Sequence, residues 1–291
     1  MSIRSVLNKK TAFAKEKTGV FEAEGFFDGS VIIHVNKKYI DEDDKSEFTL
    51  QEHSAPITDI MFIVTHYYGT KIQEDTPTSS RLFLASSSYD QTIIIWQLYD
   101  GVWSVAKRFE FEDSYCTSIS APPSNIYYDK IYFGFSDGRA TYIDINDDAT
   151  KMVNIKKYDN DQICLSIFAN SDNNENEVII VGNSKGEIQC TNNEETQILK
   201  NGSSSSRKEG VLYIDVDPPY IVATFKNGLV LIIDKLLSKT KDITPALKDL
   251  DQFIPVMAKF DHLTHAIKIL SDKGQIVTVM KFPNGSYKLI K

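Results

Sequence analysis

Tight-turn dipeptides punctuate this chain at a nearly regular interval, and that spacing constrains the fold more than any other feature. Asp28-Gly29, Asp90-Gln91, Asp137-Gly138, Lys185-Gly186, Asn227-Gly228 and Lys273-Gly274 each stand between two short apolar runs. The preceding runs are VFEAEGFF, RLFLASSS, KIYFGFS, EVIIVGN, YIVATF and HAIKIL; the following ones are SVIIHV, TIIIW, RATYIDI, EIQC, LVLIID and QIVTVM. Counted from Gly29 through Gln91, Gly138, Gly186, Gly228 and Gly274, the intervals are 62, 47, 48, 42 and 46 residues. The first is long because 65–80, with Gly69, Pro77 and a Thr/Ser run, reads as a loop inserted between two strands. Hairpin turns collect Asp, Asn and Gly because their backbone needs positive φ.

Each period has room for two further strands. The one before the hairpin is read at 57–64, 116–121, 163–169, 211–216 and 254–260. The one after it is read at 48–50, 103–110, 152–156, 196–199, 240–243 and 287–290. For the first period the candidate opening strand is 2–7. No long segment carries helical periodicity. The pattern of strand, strand, turn, strand, strand, repeated six times, predicts an all-β propeller of six countable four-stranded blades in one domain. Approximate blade limits are 1–52, 53–112, 113–159, 160–201, 207–245 and 252–291. A four-stranded sheet cannot cover both of its own faces; packed radially against two neighbours, it can. Inner strands then turn apolar throughout, as in TIIIW, and outer strands keep a polar side, as in SVAKRFEF.

The sharpest local signal is residues 82–97, LFLASSSYDQTIIIWQ, with Glu52-His53 upstream. The spacing lets His53, a strand serine (Ser86 or Ser88), Asp90 and Trp96 form one buried hydrogen-bond network, since a buried indole N–H needs a partner. This set resembles a WD40 repeat, whose members carry Gly-His before the first strand and an Asp turn before Trp-Asp. Here each pair is half kept, as Glu52-His53 and Trp96-Gln97. The other blades keep the turn without the His or the Trp. The resemblance implies a propeller that binds other proteins. Such propellers most often have seven blades, which leaves three closures open: the N-terminal segment supplies a strand to a seventh, the ring closes with six, or the ring is open and a partner completes it. The last is implied by a further similarity of LASSSYDQTIIIWQLYDGVWSV, with Gly101 and Trp103, to the small propeller subunits of vesicle coats and the nuclear-pore scaffold.

The chemistry of an enzyme is not written in the chain. There is no Gly-rich phosphate loop and no Gly-x-Ser-x-Gly elbow. His262 and His265 have only Asp261 beside them, so no metal or other cofactor is expected. Three cysteines, Cys116, Cys164 and Cys190, fit no metal spacing and leave one unpaired in any disulfide scheme, which points to a reducing compartment, cytoplasmic or nuclear. The basic N-terminus is also compatible with a transit peptide. A net charge of −8 argues against coating nucleic acid or anionic membrane. Arg207-Lys208 with Lys239 and Lys241 are the only basic candidates for a nucleic-acid-associated role. No run is long enough to insert in a membrane. The serine run 203–206 is a candidate phosphosite on a solvated loop.

The expected function is therefore a non-enzymatic scaffold, a subunit that meets other proteins through its propeller faces and acts on no small-molecule substrate. Alternatives are an open coat or pore subunit, a propeller in an RNA- or chromatin-processing complex, and a propeller enzyme. By register, Phe27, Tyr89, Tyr115 and Phe253, with Asp161 and Lys273 as charged neighbours, are the candidate partner-binding residues on the face that carries the hairpin turns.

Overall fold

The computed structural model describes residues 9–39, 45–66, 80–121, 130–145, 152–157, 162–169, 177–183, 186–192, 195–199, 210–217, 219–234, 239–261, 264–281 and 285–290. They form six separate four-stranded antiparallel sheets, each built from four consecutive strands. The first holds β1 (Lys10–Lys15), β2 (Phe21–Phe26), β3 (Val31–Val35) and β4 (Glu47–Leu50). The second holds β5 (Ile57–His66), β6 (Ser80–Ser88), β7 (Thr92–Tyr99) and β8 (Val102–Glu110). In the third are β9 (Cys116–Ser120), β10 (Lys130–Phe135), β11 (Arg139–Asp144) and β12 (Val153–Lys157). The fourth comprises β13 (Gln162–Ala169), β14 (Glu177–Asn183), β15 (Ile188–Asn192) and β16 (Glu195–Leu199). The fifth comprises β17 (Val211–Asp217), β18 (Tyr220–Phe225), β19 (Val230–Asp234) and β20 (Lys239–Asp242). The sixth comprises β21 (Pro255–Asp261), β22 (Ala266–Ser271), β23 (Ile276–Lys281) and β24 (Tyr287–Ile290). Two 3₁₀ turns, Lys37–Tyr39 and Thr244–Leu247, are the only helical pieces among the described residues.

The repeat is visible in the backbone. The first strand of every sheet carries a register shift at its start, at Lys10/Ala12, Ile57/Asp59, opposite Gly134/Phe135, and at Gln162/Cys164, Val211/Tyr213 and Pro255/Met257. A bulge there adds twist where the strand approaches its neighbours. Beside it, the first turn residue donates its N–H to the residue just before or opening the first strand: Phe27 to Lys9, Tyr89 to Pro56, Ser136 to Tyr115, Lys226 to Gly210 and Asp272 to Ile254. Within the turn, Asp28, Asp90, Asp137 and Asn227 each accept the N–H two residues on. Gln91 takes φ +68° where the other turns have glycine. That strain sits in the hairpin with the densest side-chain network.

Apolar clusters then join the sheets face to face. Ile63, Phe83 and Ile95 meet Ile119, Phe133 and Ile143 between the second and third sheets. Ile180 and Ile188 meet Ile214, Ala223 and Ile233 between the fourth and fifth. Val222, Val230 and Ile232 meet Ile267, Ile269 and Val279 between the fifth and sixth. Ala23, Ile33 and Val31 meet Ile60, Phe62 and Trp103 between the first and second. The inner strands β1, β5, β9, β13, β17 and β21 line up in that order. The chain is an all-β propeller.

One expectation needs correction. The opening strand is Lys10–Lys15, not 2–7, which lies outside the described residues. The reason is packing: Ala12, Phe13 and Ala14 are buried, and two small residues let β1 close on the axis. The first sheet is thus complete from its own four strands, and the described residues contain no strand offered to a seventh.

Candidate functional site

In the second sheet, the tight turn and the strand pairing bring His53, Ser86, Asp90 and Trp96 together. Trp96 Nε1 donates to Ser86 Oγ at 2.8 Å. The serine oxygen stands 2.8 Å from His53 Nε2 and, having accepted the indole, donates its own proton there. His53 Nδ1–H then faces Asp90 Oδ2 at 3.1 Å and Thr92 Oγ1 at 2.9 Å. Asp90 also accepts from Ser54 N–H at 2.9 Å and Thr92 Oγ1 at 2.7 Å. Ser88 is not in this chain of bonds; its hydroxyl donates to Ala55 O and accepts from Asp90 N–H. Burial pushes the His53 imidazole below its ordinary value, against the pull of Asp90. Burial alone would raise the Asp90 carboxyl, but the bonds from Thr92, Ser54 and His53 outweigh it and hold the group low. These bonds tie the segment before β5 to the β6–β7 hairpin. Thr92 was absent from the sequence expectation, although its place two residues after Asp90 is a regular turn-capping position.

The candidate partner-binding residues divide. Tyr89 and Tyr115 stack, with ring centroids 4.5 Å apart, and Tyr89 is 52% exposed. Phe27, in the first hairpin turn, is 39% exposed. Phe253 packs, half-buried, on the core between the fifth and sixth sheets. Lys273 donates to Gln252 Oε1 at 2.5 Å. Asp161, His262, Arg207, Lys208 and the 203–206 run lie outside the described residues. His265 faces Asp217 at 3.0 Å, and among the described residues no group of three His, Cys, Asp or Glu side chains could hold a metal.

At the axis lies a constellation that the sequence did not reveal. Asp59 of β5 is fully buried, and four donors reach it: Lys259 Nζ at 2.6 Å, Tyr213 Oη at 2.9 Å, Ile119 N at 2.8 Å and its neighbour Ile60 N at 2.8 Å. Lys259 also donates to Ile60 O at 2.9 Å and lies over the rings of Phe13 and Tyr213. Sheets two, three, five and six therefore converge on one carboxylate. A buried charge is tolerated only when so paired. Four donors occupy its two oxygens.

The seam between the first and sixth sheets is partly uncovered. Register fixes which side chains face it. Phe13 pairs with Glu24, Glu24 with Ile32 and Ile32 with Thr49; Lys15 pairs with Glu22, Glu22 with His34 and His34 with Glu47. Across the seam, Leu270 pairs with Ile276, Lys268 with Thr278, Thr278 with Ile290 and Met280 with Lys288. Near the axis the two faces meet: Phe13, Met257 and Leu270 share a cluster, and Gly274 sits so close that a Cβ would fall 2.8 Å from Lys10 N. Two ion pairs follow, Lys15–Asp261 at 2.8 Å and Lys268–Glu22 at 3.2 Å. Burial would lower the Lys15 ammonium, but Asp261 and Glu22 outweigh it and raise it above its ordinary value. Farther out, Thr49 and Glu47 are exposed, His34 and Met280 are half-buried, and Ile290 is 40% exposed. The opposite faces of the same two sheets bury Ala23, Ile33, Ile267, Ile269 and Val279. The seam is thus tight at the hub and polar and uncovered toward the rim.

A scan against models of protein families gives no match, and neither does a comparison with characterised protein sequences. Among solved structures, the chain is similar to the Cps50 (Swd1) β-propeller domain of Myceliophteria thermophila. The identity is 10%, the TM-score 0.60, and the likeness covers 93% of this chain and 96% of that one. At that identity the likeness concerns the fold. It agrees with the WD40-like character of the second sheet.

Proposed function

We propose that this chain is a non-enzymatic, WD40-like interaction subunit of a larger assembly, and that its ring is open, receiving a strand-bearing segment of a partner protein between the first and sixth sheets. The observation that supports this is the seam. A sheet needs both faces covered; Phe13, Met257 and Leu270 close this seam at the hub, but farther out it leaves Glu47, Thr49 and Ile290 exposed. The fold itself is independent of that gap, because Asp59 ties sheets two, three, five and six across the axis. The Asp59 carboxylate, already held by four donors, supports the non-enzymatic reading. A cytoplasmic or nuclear location fits the buried free thiols Cys116 and Cys190. Of the basic candidates for nucleic acid, Lys241 is engaged by Gly285 O and the Tyr287 ring, which supports protein partners over nucleic acid.

The test is affinity capture of the full chain from native extract, in parallel with two surface variants. Glu47→Lys with Ile290→Asp, both on the seam, should lose the stably bound partner. Val102→Asp, on the exposed outer edge of the second sheet, should retain it. Equal capture by all three forms contradicts the reading.

A further inference from the structure

Between the fifth and sixth sheets, on the face that carries the hairpin turns, lies a cavity of about 630 Å³. One wall is the β18–β19 turn, Lys226-Asn227-Gly228. The other is the connector from β20 to β21, which contributes Asp242, Thr244, Leu247, Lys248, Leu250, Phe253 and Ile254 among others. The connector is firmly built. Its 3₁₀ turn buries Leu247, Asp242 caps Thr244 N–H at 2.8 Å, and Thr244 Oγ1 accepts Val230 N–H at 2.9 Å. The cavity is therefore preformed, and its volume falls within the range of roughly 300–1,000 Å³ usual for binding sites.

Its lining combines two properties. Leu247, Leu250, Phe253, Ile254 and the prolines give it an apolar floor, and Ile254 keeps 47% of its surface exposed. Lys226 and Lys248 stand on opposite walls, exposed, and neither has a carboxylate partner among the described residues. The one carboxylate in the lining, Asp242, is engaged by the Thr244 N–H. Lys273 adds a third cation at the edge through its bond to Gln252. In a chain of net charge −8 the lining holds two lysines against one carboxylate, with the exposed Asp249 and Asp251 beside it on the connector.

We infer that this cavity is a docking site for a short extended peptide of a partner protein, with an aliphatic or aromatic side chain in the apolar floor and acidic residues beside it on Lys226 and Lys248. The apolar floor supplies the anchor, and the two ammoniums set charge preference and orientation. This site is separate from the open seam and stands whether or not the seam accepts a partner.

The probe is a phage-displayed library of random dodecapeptides panned on the full chain. Enriched peptides are then made synthetically with a fluorescent label and titrated by anisotropy against wild type, Lys226→Glu/Lys248→Glu and Ile254→Asp. These three positions are exposed, and unchanged thermal melting confirms that the variants fold. The expected result is enrichment of Asp or Glu near Leu, Ile, Phe or Trp. Affinity should fall by about tenfold or more in the double lysine variant and also fall in Ile254→Asp, while the seam variant Glu47→Lys binds as wild type. No enrichment over an unrelated protein, enrichment of basic peptides, or binding that both pocket variants leave unchanged overturns the proposal.

Discussion

Lys259 Nζ lies 2.6 Å from Asp59 Oδ1, joining the sixth sheet to the second across the axis and past the first. Tyr213 and Ile119 complete the same carboxylate from the fifth and third sheets. Removing one partner of a buried pair strands the other charge. Lys259→Ala should therefore cost about 3–5 kcal/mol in denaturant unfolding. Tyr213→Phe removes one neutral donor and should cost about 1–3 kcal/mol. A Lys259 variant of wild-type stability would show that the hub does not hold the ring.

The His53 network predicts a pH dependence of stability. His53 in the folded chain has a pKa below its ordinary 6.5, so the unfolded chain takes up the proton first on acidification. Its stabilising contribution is complete above that ordinary value and is lost as pH falls toward the folded value. Asp90, also held below its ordinary 3.8, adds a second loss only at more acid pH. Urea midpoints should fall from roughly pH 7 to 5, and His53→Gln should flatten that slope while lowering stability throughout. A slope unchanged by the substitution places the proton elsewhere.

Gly274 tests the hub end of the seam. Its φ of +80° costs an L-residue about 1–2 kcal/mol, and a Cβ there meets the Lys10 backbone. Gly274→Ala should lower the melting temperature, and hydrogen exchange should quicken in β1 more than in β17. Uniform quickening would mean that the turn does not fasten the first sheet.

The two seam ion pairs are partly exposed and so sensitive to salt. Raising ionic strength should accelerate exchange in β1 and β2 ahead of β6 and β7. The apolar contacts of Phe13 with its cluster should keep the sheet attached.

Much of this architecture was legible in the sequence because strands are short-range objects. Turn residues (glycine in five sheets, Asp90-Gln91 in the second) and short apolar runs located the hairpins of all six sheets, and YIVATF matches β18 residue for residue. β1 was missed because KTAFAK shows only one large apolar residue, and its burial depends on what surrounds the axis. The Asp59 hub was hidden because its partners at 119, 213 and 259 come from three other sheets. Its local cue was a carboxylate inside the apolar run ITDIMFIV. The seam also left a trace: FEAEGF puts two glutamates on one face, whereas YIVATF and KIYFGF put none there. Which sheet that face would meet followed only from closing the ring.

The most direct test of the central claim is thiol labelling of the seam in the captured complex. Thr49→Cys and Ile290→Cys lie on its two walls, and Val102→Cys on the outer edge of the second sheet serves as the reference. In the free chain all three should react readily. In the complex the two seam thiols should slow by about tenfold or more while the reference is unchanged, as for residues buried in an interface core. Seam thiols that label equally fast with and without the partner would contradict an open ring completed by another protein.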